Sequence, residues 1–439
     1  MKKLFFALLS FGFLIASNVS AKDASSGGAA DIRYRAIIYF YPQTVTPTEA
    51  ELTKYLPDFE RVDALPETIT KPVVTLSILD DFKEFYPVPD DDYLAYFGRG
   101  ISKTQAMSIQ TTKQILLIDI GYPQTNSLSD YKSVVNFLFD VANTHKGLIW
   151  DAETRELFEP STWAEKRITP WQDKFPNIVD HITIHAYSNE PEGIRTITLG
   201  MAKFGLPDIV VNDFSWSSNH PVGNLINLTA QSLFEGVTPN ENATLKLNIS
   251  KLQNTAMRQT LLSDLKENAA SELEIEFGEG KREEGDPYNV ILELLFDTAE
   301  GANLSEKQDK ILSALFGWED SVTMVQHDTE ILAASTRAKA RLNKLRKDFN
   351  KGLEPGEYIL LKAPFKTDTG GNEWMWVEVI TWEKKAITGL LKNEPYYVPE
   401  LRAGSIVEIN QNDVFDYIRE LADGTSEGNE TDEIMKRGK

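Results

Sequence analysis

The sequence predicts a multi-domain α+β protein, and three observations support this prediction. The chain has 439 residues, which is enough for two to four domains at roughly 100–200 residues each. Hydrophobic residues make up 41% of it and aromatic residues 10%, which is typical of folded proteins and argues against global disorder. Segments that alternate apolar and polar residues, as strands do, stand between segments with helical spacing. Strands and helices are therefore expected within the same domains.

The first 21 residues have the pattern of a cleavable export signal. Lys2 and Lys3 precede an apolar run over residues 4–16, and residues 19–21 (VSA) supply the small side chains of a cleavage site. The apolar run is shorter than the roughly 20 residues that a helix needs to span a bilayer. We therefore expect cleavage after Ala21, a flexible leader over residues 22–30, and a periplasmic or secreted protein with no membrane anchor.

Composition excludes several classes of site. The net charge is −21, and such an acidic surface disfavours nucleic acid and anionic lipid. The chain contains no cysteine, which excludes disulfides, thiol nucleophiles and thiolate metal sites. The sequence suggests no cofactor.

The first domain is predicted over residues 31–236 as an α+β sandwich. Apolar strands are expected at residues 35–41, 73–79 and 115–122. Ser129 is expected to cap a helix over residues 130–144, whose apolar residues recur at helical spacing. Further strands are expected at residues 181–185, 195–199 and 208–211, and a helix over 223–234 closes the domain.

Residues 237–243 (VTPNENA) are predicted to be a linker to a small middle α+β unit over residues 244–325. Alternating segments at residues 245–249 and 272–277 indicate strands. Residues 305–315 have helical periodicity and begin with Ser305-x-x-Gln308, which resembles a capping box.

The third domain, over residues 326–422, is predicted to be small, β-rich and barrel-like. It starts with a basic helix over residues 331–350, and four strands follow between residues 358 and 409. Residues 414–421 are predicted to form a closing helix. Residues 423–439 are polar and are expected to be a disordered tail.

Five short segments of this third domain carry a recognisable pattern. They are residues 358–362 (YILLK), 373–378 (EWMWVE), 389–395 (GLLKNEP), 401–404 (LRAG) and 413–417. In their order and spacing they resemble a bacterial family known only as a domain of unknown function, family 2314, the YegJ-like proteins. Relatives often have a histidine where this chain has Trp374. The central part, through residues 147–163 and 195–207, more loosely resembles a second uncharacterised bacterial family. The resemblance implies domain boundaries but no activity.

Histidines and acids offer only weak candidates for catalysis or metal binding. His181 and His185 alternate with apolar residues as a strand does, and four strand residues span about 13 Å, too far for two ligands of one ion. Asp213, Ser215 and His220 are neighbours in sequence, whereas catalytic triads assemble from distant segments. We therefore expect neither a metal site nor a triad.

An aromatic stripe near the C-terminus is the best candidate for a ligand-binding site. In the strand at residues 373–379, Trp374, Trp376 and Glu378 share one face, opposite Met375 and Val377. The polar and aromatic residues of the next loop could complete an aromatic recess. The predicted ligand-binding residues are Trp374, Trp376, Glu378, Asn393, Glu394, Tyr396 and Tyr397. Packing of these rings in a small core is the alternative.

The leading functional hypothesis is an exported, non-enzymatic module that binds a protein or a small molecule. One alternative is a hydrolase-like enzyme with a site between domains that uses His181, His185 and nearby carboxylates. Another is an acidic protein that neutralises a basic partner, in which case its affinity would fall steeply with salt.

Overall fold

The structure is a computed structural model that describes residues 31–171, 174–188, 193–266, 268–317, 329–367 and 371–437. The predicted signal at residues 1–21 and the leader at residues 22–30 lie outside the described residues. The multi-domain α+β class is confirmed, because the strands form three separate sheets with helices packed between and around them.

The first sheet has seven strands and is built on the apolar segments that the sequence predicts. Its strands are β1 (Asp31–Phe40), β2 (Glu60–Arg61), β3 (Val73–Leu79), β4 (Gly98–Arg99), β5 (Ile115–Pro123), β6 (Gly147–Asp151) and β7 (Glu156–Phe158). They lie in the order β2-β3-β5-β1-β6-β7-β4. The two long strands β1 and β5 pair antiparallel at the centre, with Ala36 opposite Ile118.

Helices cover both faces of this sheet. They are α1 (Glu49–Leu52), α2 (Asp91–Phe97), α3 (Lys103–Ile109), α4 (Ser127–Thr144) and α5 (Pro160–Arg167). Helix α4 buries Val134, Phe137, Leu138 and Val141 in the main core, as their helical spacing predicts. The opposite face of the sheet packs on Phe82, Leu94 and Ile109, which come from the segment that contains α2 and α3.

The second sheet has six strands, β8 (Thr183–Ser188), β9 (Ile194–Leu199), β10 (Asp208–Phe214), β11 (Thr244–Asn248), β12 (Glu272–Glu279) and β13 (Ile291–Leu295). Their order is β11-β12-β13-β10-β9-β8, and the central pair of β10 and β13 is parallel. The accompanying helices are α6 (Asn219–Phe234), α7 (Thr255–Ser263) and α8 (Leu304–Phe316). Short 3-10 helices occur at Thr53–Tyr55, Gln124–Asn126, Ile178–Asp180, Met201–Phe204, Trp216–Ser218 and Ile249–Lys251.

The second sheet takes strands from both sides of residues 237–243, where the sequence predicts a linker. The parallel pairing of Asp208 with Ile291 joins the segments before and after that stretch. One apolar cluster runs from Ile32 in β1 to Phe316 in α8. The structure thus joins, in one sheet and one core, the two regions that the sequence divides at residues 237–243.

The third sheet has six strands, β14 (Tyr358–Lys366), β15 (Asn372–Glu383), β16 (Ala386–Leu391), β17 (Ile406–Asn410), β18 (Asp416–Glu420) and β19 (Ser426–Gly428). Its order is β17-β16-β15-β14-β18-β19, and every neighbouring pair is antiparallel. Helix α9 (Thr329–Phe349) packs Ala338, Leu342 and Leu345 against it. Helix α10 (Glu430–Arg437) ends the described chain.

Three predictions for this third domain are wrong. The sheet is open, with β17 and β19 at its two ends, and it is not barrel-like. Residues 416–420 form strand β18 instead of a helix, because they pair with β14 on one side and β19 on the other. Within the predicted disordered tail, the described residues 426–428 and 430–437 form β19 and α10, which pack against β18 and α9 and bury Thr431.

Within the described parts of the chain, no helix combines the length and the hydropathy required to cross a membrane.

Candidate functional site

Strand β15 is buried on both faces, and each face carries large apolar or aromatic side chains. Met375 and Val377 pack with Leu391 and Val407 on one side. Trp376 lies on the other side, where it is also buried, and the Lys362 Nζ atom is 5.3 Å from the centre of its ring. The Trp376 ring is therefore part of the packed interior and is not open to solvent.

The loop that follows β16 is held against β15 by two buried polar side chains. The Glu373 carboxylate accepts hydrogen bonds from the backbone N–H of Tyr396 at 2.8 Å and of Tyr397 at 3.0 Å. The Asn393 Oδ1 atom accepts one from the backbone N–H of Trp376 at 2.6 Å. Because both side chains are buried, water competes little for these bonds. The loop backbone is thereby fixed.

This fixed loop presents two neighbouring tyrosine rings to solvent. Tyr396 is 57% exposed and Tyr397 is 50% exposed, with 6.4 Å between their ring centroids. Beside them, exposed Glu394 accepts a hydrogen bond from the Ala403 backbone N–H at 2.9 Å. We call Glu394, Tyr396 and Tyr397 the tyrosine patch. Exposed aromatic rings on a rigid backbone are suited to recognition, because little conformational freedom is lost on binding.

Replacing Glu373 with Ala is expected to make the loop that carries the tyrosine patch more mobile without unfolding the domain. Two backbone N–H groups would lose a buried acceptor, and each lost hydrogen bond costs about 0.5–1.5 kcal/mol. Hydrogen exchange at the Tyr396 and Tyr397 amides should accelerate. Glu400→Ala, at an exposed acid of the same loop, is the control and should leave exchange unchanged. Unchanged exchange in Glu373→Ala would contradict the role given to this carboxylate.

The structure divides the seven predicted ligand-binding residues by exposure. Trp376, Glu378 and Asn393 are buried, and Trp374 is partly buried with its ring centroid 4.6 Å from that of Phe415. The three residues of the tyrosine patch are exposed. The prediction that the set binds a ligand thus remains a prediction, and only the tyrosine patch is presented to solvent without rearrangement.

Glu378 belongs to a polar seam between the third sheet and the second, which sequence reasoning missed. It accepts a hydrogen bond from the Ser217 hydroxyl. Lys392 Nζ lies 3.4 Å from Asp309 Oδ2, and the Ser405 hydroxyl donates to Glu306 Oε1 at 2.9 Å. Gly404 has a φ of +81°, and a Cβ there would lie 2.7 Å from the Glu306 backbone nitrogen. Only glycine fits so close an approach, so the two sheets dock in a defined position.

A second group that sequence reasoning missed is a buried charge network beside α5. The Asp151 carboxylate contacts the Arg167 guanidinium and, at 2.6 Å, the Lys203 Nζ atom. Lys203 also donates to the backbone carbonyl of His181 at 2.7 Å. Burial alone would raise the pKa of Asp151, but the charges of Lys203 and Arg167 hold it well below its usual range. Burial lowers the pKa of Lys203 to about 8, although Asp151 opposes this shift.

Two further acids next to this network have raised pKa values. Burial, reinforced by the negative charge of Asp151, raises the pKa of Glu153 to about 7. Burial raises the pKa of Asp208 to about 6, against hydrogen bonds from Asn289 and Thr198. Perturbed pKa values occur both at active sites and in structural ion-pair networks. Because Asp151, Arg167 and Lys203 are all buried in the core region, we assign the network a structural role.

The histidines that the hydrolase alternative would use have lowered pKa values; His181 is buried, whereas His185 is partly exposed. Burial holds the pKa of His181 well below its usual value, and its Nδ1 atom lies 3.1 Å from the Tyr131 hydroxyl. Burial lowers the pKa of His185 to about 4, and its ring packs 5.1 Å from that of Phe97. Among the described residues, no group of three or more His, Cys, Asp or Glu side chains could hold a metal ion.

The segment from Asp213 to His220 does not bring a serine and a histidine together as a triad would. The Ser215 hydroxyl is 3.1 Å from both the Ser217 and the Ser218 hydroxyl. His220 Nε2 instead lies 3.3 Å from Asp264 Oδ2, next to helix α7. This segment runs from the end of β10 through a 3-10 helix into α6, and its serines take part in the seam.

A cleft of about 320 Å³ lies at the end of the first sheet where β1 and β3 finish and β5 begins. Its lining residues are Phe40, Tyr41, Pro42, Thr44, Thr46, Asp80, Lys113 and Gln114. The Gln114 amide is fixed by donating to Asp80 Oδ1 at 2.6 Å. The cleft joins three segments that are distant in sequence, which is why no sequence pattern indicated it.

Comparison with known proteins bears on the C-terminal domain alone. Residues 328–438 match the model of a bacterial family described as "Uncharacterized protein conserved in bacteria", domain-of-unknown-function family 2314. This supports the resemblance seen in the five short segments and extends it over β19 and α10. Neither the name YegJ nor the second family in the central part is supported. No curated protein and no solved structure matches the chain.

Proposed function

We propose that this chain is a binding protein and that its C-terminal domain recognises a partner protein through the tyrosine patch. The observation that carries the proposal is the combination of rigid backbone and exposed rings. Glu373 and Asn393 are buried polar residues that hold the loop, while Tyr396 and Tyr397 are left half exposed. Tyrosine is enriched in protein interfaces because it offers a large contact area and one polar atom at low entropic cost.

The proposal places the protein outside the cytoplasm, on the basis of residues 1–21. If this segment is an export signal, the protein isolated from its source cell should begin at Lys22, because cleavage follows the small residues at 19–21. N-terminal sequencing measures this. Retention of Met1 in the protein from the source cell would contradict export.

Affinity capture from an extract of the source cell tests the tyrosine patch. We expect the wild type to retain a partner that a Tyr396→Ala/Tyr397→Ala variant loses, because removing both rings deletes the aromatic contact. Tyr288→Ala is the matched control, since Tyr288 is 67% exposed in a loop of the second sheet region. It should capture the partner as the wild type does.

Equal capture by the wild type and the double variant would contradict the proposal. If that capture also fell steeply with salt, it would instead favour binding through the acidic surface. Near-ultraviolet circular dichroism establishes that the variants remain folded. The two tyrosines are exposed, so their removal should leave the core intact.

A further inference from the structure

The C-terminal helix α10 lies in a groove between α9 and the strands β14 and β18. The turn that leads into it needs Gly428, which has a φ of +97° and whose Cβ would lie 2.1 Å from the Tyr417 carbonyl oxygen. The Asn429 backbone N–H donates to the same carbonyl at 2.8 Å. Thr431, in the first turn of α10, is fully buried. Helix α10 is thus seated at a defined place at the edge of the domain.

Two cations of the groove pair with acids of helix α10. Lys362 on β14 is 0% exposed, its Nζ atom lies over the Trp376 ring, and it donates to Asp432 Oδ1 at 2.6 Å. On the α9 side, the Arg337 guanidinium pairs with Glu430 Oε2 at 2.7 Å. Burying an ammonium group without a counter-charge is costly. Asp432 supplies this counter-charge to Lys362.

A second polar contact lies next to this ion pair. Asp416 on β18 is the register partner of Lys362 on β14. Its Oδ2 atom accepts hydrogen bonds from the Thr431 backbone N–H at 2.9 Å and from the Thr431 hydroxyl at 2.7 Å. Asp416 and Lys362, which are paired on neighbouring strands, thus bind two consecutive residues of α10, a threonine followed by an aspartate.

Helix α10 is a short element at the end of the described chain. It has eight residues, and isolated helices shorter than about 12–15 residues are marginal in water. Its helical form therefore depends on the groove. An incoming acidic segment would exchange one carboxylate for another on Lys362, so the charged pair is replaced and not lost.

We propose that the α9–β14–β18 groove is a binding site for a short acidic helical segment of a partner protein, with a hydroxyl residue followed by an acid. Helix α10 occupies the site in the same chain until such a segment displaces it. This site is separate from the tyrosine patch, and the two can be tested independently.

The test uses the full chain and a fluorescein-labelled peptide with the sequence of residues 428–437, GNETDEIMKR. A Thr431→Ala/Asp432→Ala variant weakens the competing helix, and fluorescence anisotropy measures peptide binding. We expect the variant to bind the peptide at least about tenfold more tightly than the wild type does. A peptide with Asn in place of the aspartate that corresponds to Asp432 should bind the variant at least about tenfold more weakly than the original peptide.

A third substitution identifies the groove. Lys362→Met, added to the variant, keeps most of the side-chain volume but removes the charge, so peptide binding should be lost. Where that protein does not fold, Arg337→Ala serves instead, because Arg337 is largely exposed, and it should weaken binding. No peptide binding to the variant at millimolar concentration, or equal binding of the acid and amide peptides, would overturn the proposal.

Discussion

Replacing Asp151 with Asn is expected to lower the free energy of unfolding by about 3–5 kcal/mol, the largest loss expected from any single substitution considered above. Asp151 is the carboxylate that neutralises both Arg167 and Lys203, and all three side chains are buried. Without it, two cations remain in the core with no counter-charge at their shared contact. Urea unfolding of the full chain measures the loss.

The control for this experiment is an ion pair of similar length at the surface. Asp297 Oδ1 lies 2.7 Å from Lys307 Nζ, and the Asp297 side chain is 70% exposed. Asp297→Asn should cost no more than about 1 kcal/mol, because water screens the pair. Similar small losses in the two variants would show that the buried network contributes little to stability.

Replacing Glu153 with Gln is expected to stabilise the protein in a pH-dependent manner. The pKa of Glu153 rises from 4.5 to about 7 in the folded state, chiefly through burial and the charge of Asp151. Because the folded protein holds the Glu153 proton more tightly than the unfolded chain does, this group's contribution to stability is fully present below pH 4.5. The contribution is lost as the pH rises through about 7. The variant should match the wild type in free energy of unfolding near pH 4.5. Near pH 8 it should be about 2–3 kcal/mol more stable.

Urea unfolding of both proteins across this pH range measures the difference between them. Lys203, Asp208 and Arg155 also act on Glu153, and they are present in both proteins. His181 and His185 have lowered pKa values, so their effect on stability has the opposite sign and cancels in the difference. Glu241→Gln, at an exposed glutamate, is the control. A difference that does not change with pH would refute the raised pKa.

Local patterns in the sequence were sufficient to predict most of the elements. The apolar runs that became β3 and β5 are long and bounded by turn residues, and α4 has a clear helical stripe. Boundaries were less predictable. Helix α8 is capped by Asn303, whose side chain accepts the Glu306 N–H, and not by Ser305. Gln308 instead donates from α8 to the Asn212 carbonyl on β10, a long-range contact that no local pattern encodes.

Long-range pairing explains the larger errors. The apolar residues of the segment 414–421 follow neither a clear helical nor a clear strand periodicity. Its strand form depends on pairing with β14 on one side and β19 on the other. Helix α10 is too short and too polar to be predicted as ordered, and its order comes from Lys362 and Asp416, more than 10 residues away in sequence. The parallel pairing of β10 with β13 also joins segments on both sides of residues 237–243, and no local pattern encodes it.

The candidate site was only partly predictable for the same reason. Alternation placed Trp376 and Glu378 on one face of β15, but it does not say what covers that face. In the structure Lys362 covers Trp376, and Ser217 from a distant segment covers Glu378. The polar residues that fix the loop were also divided: Asn393 was among the predicted residues, whereas Glu373 was not. A glutamate near the start of a strand rich in aromatic and aliphatic residues was the available signal.

Site-specific photocrosslinking tests the central claim, recognition through the tyrosine patch, most directly. A photoreactive phenylalanine analogue is placed at Tyr397 in the full chain, or at the exposed Tyr288 as the control, and each protein is irradiated in an extract of the source cell. We expect one discrete crosslinked product from position 397 and none from position 288. A product from position 288 alone, or none from either position, would contradict the assignment of the tyrosine patch as the binding surface.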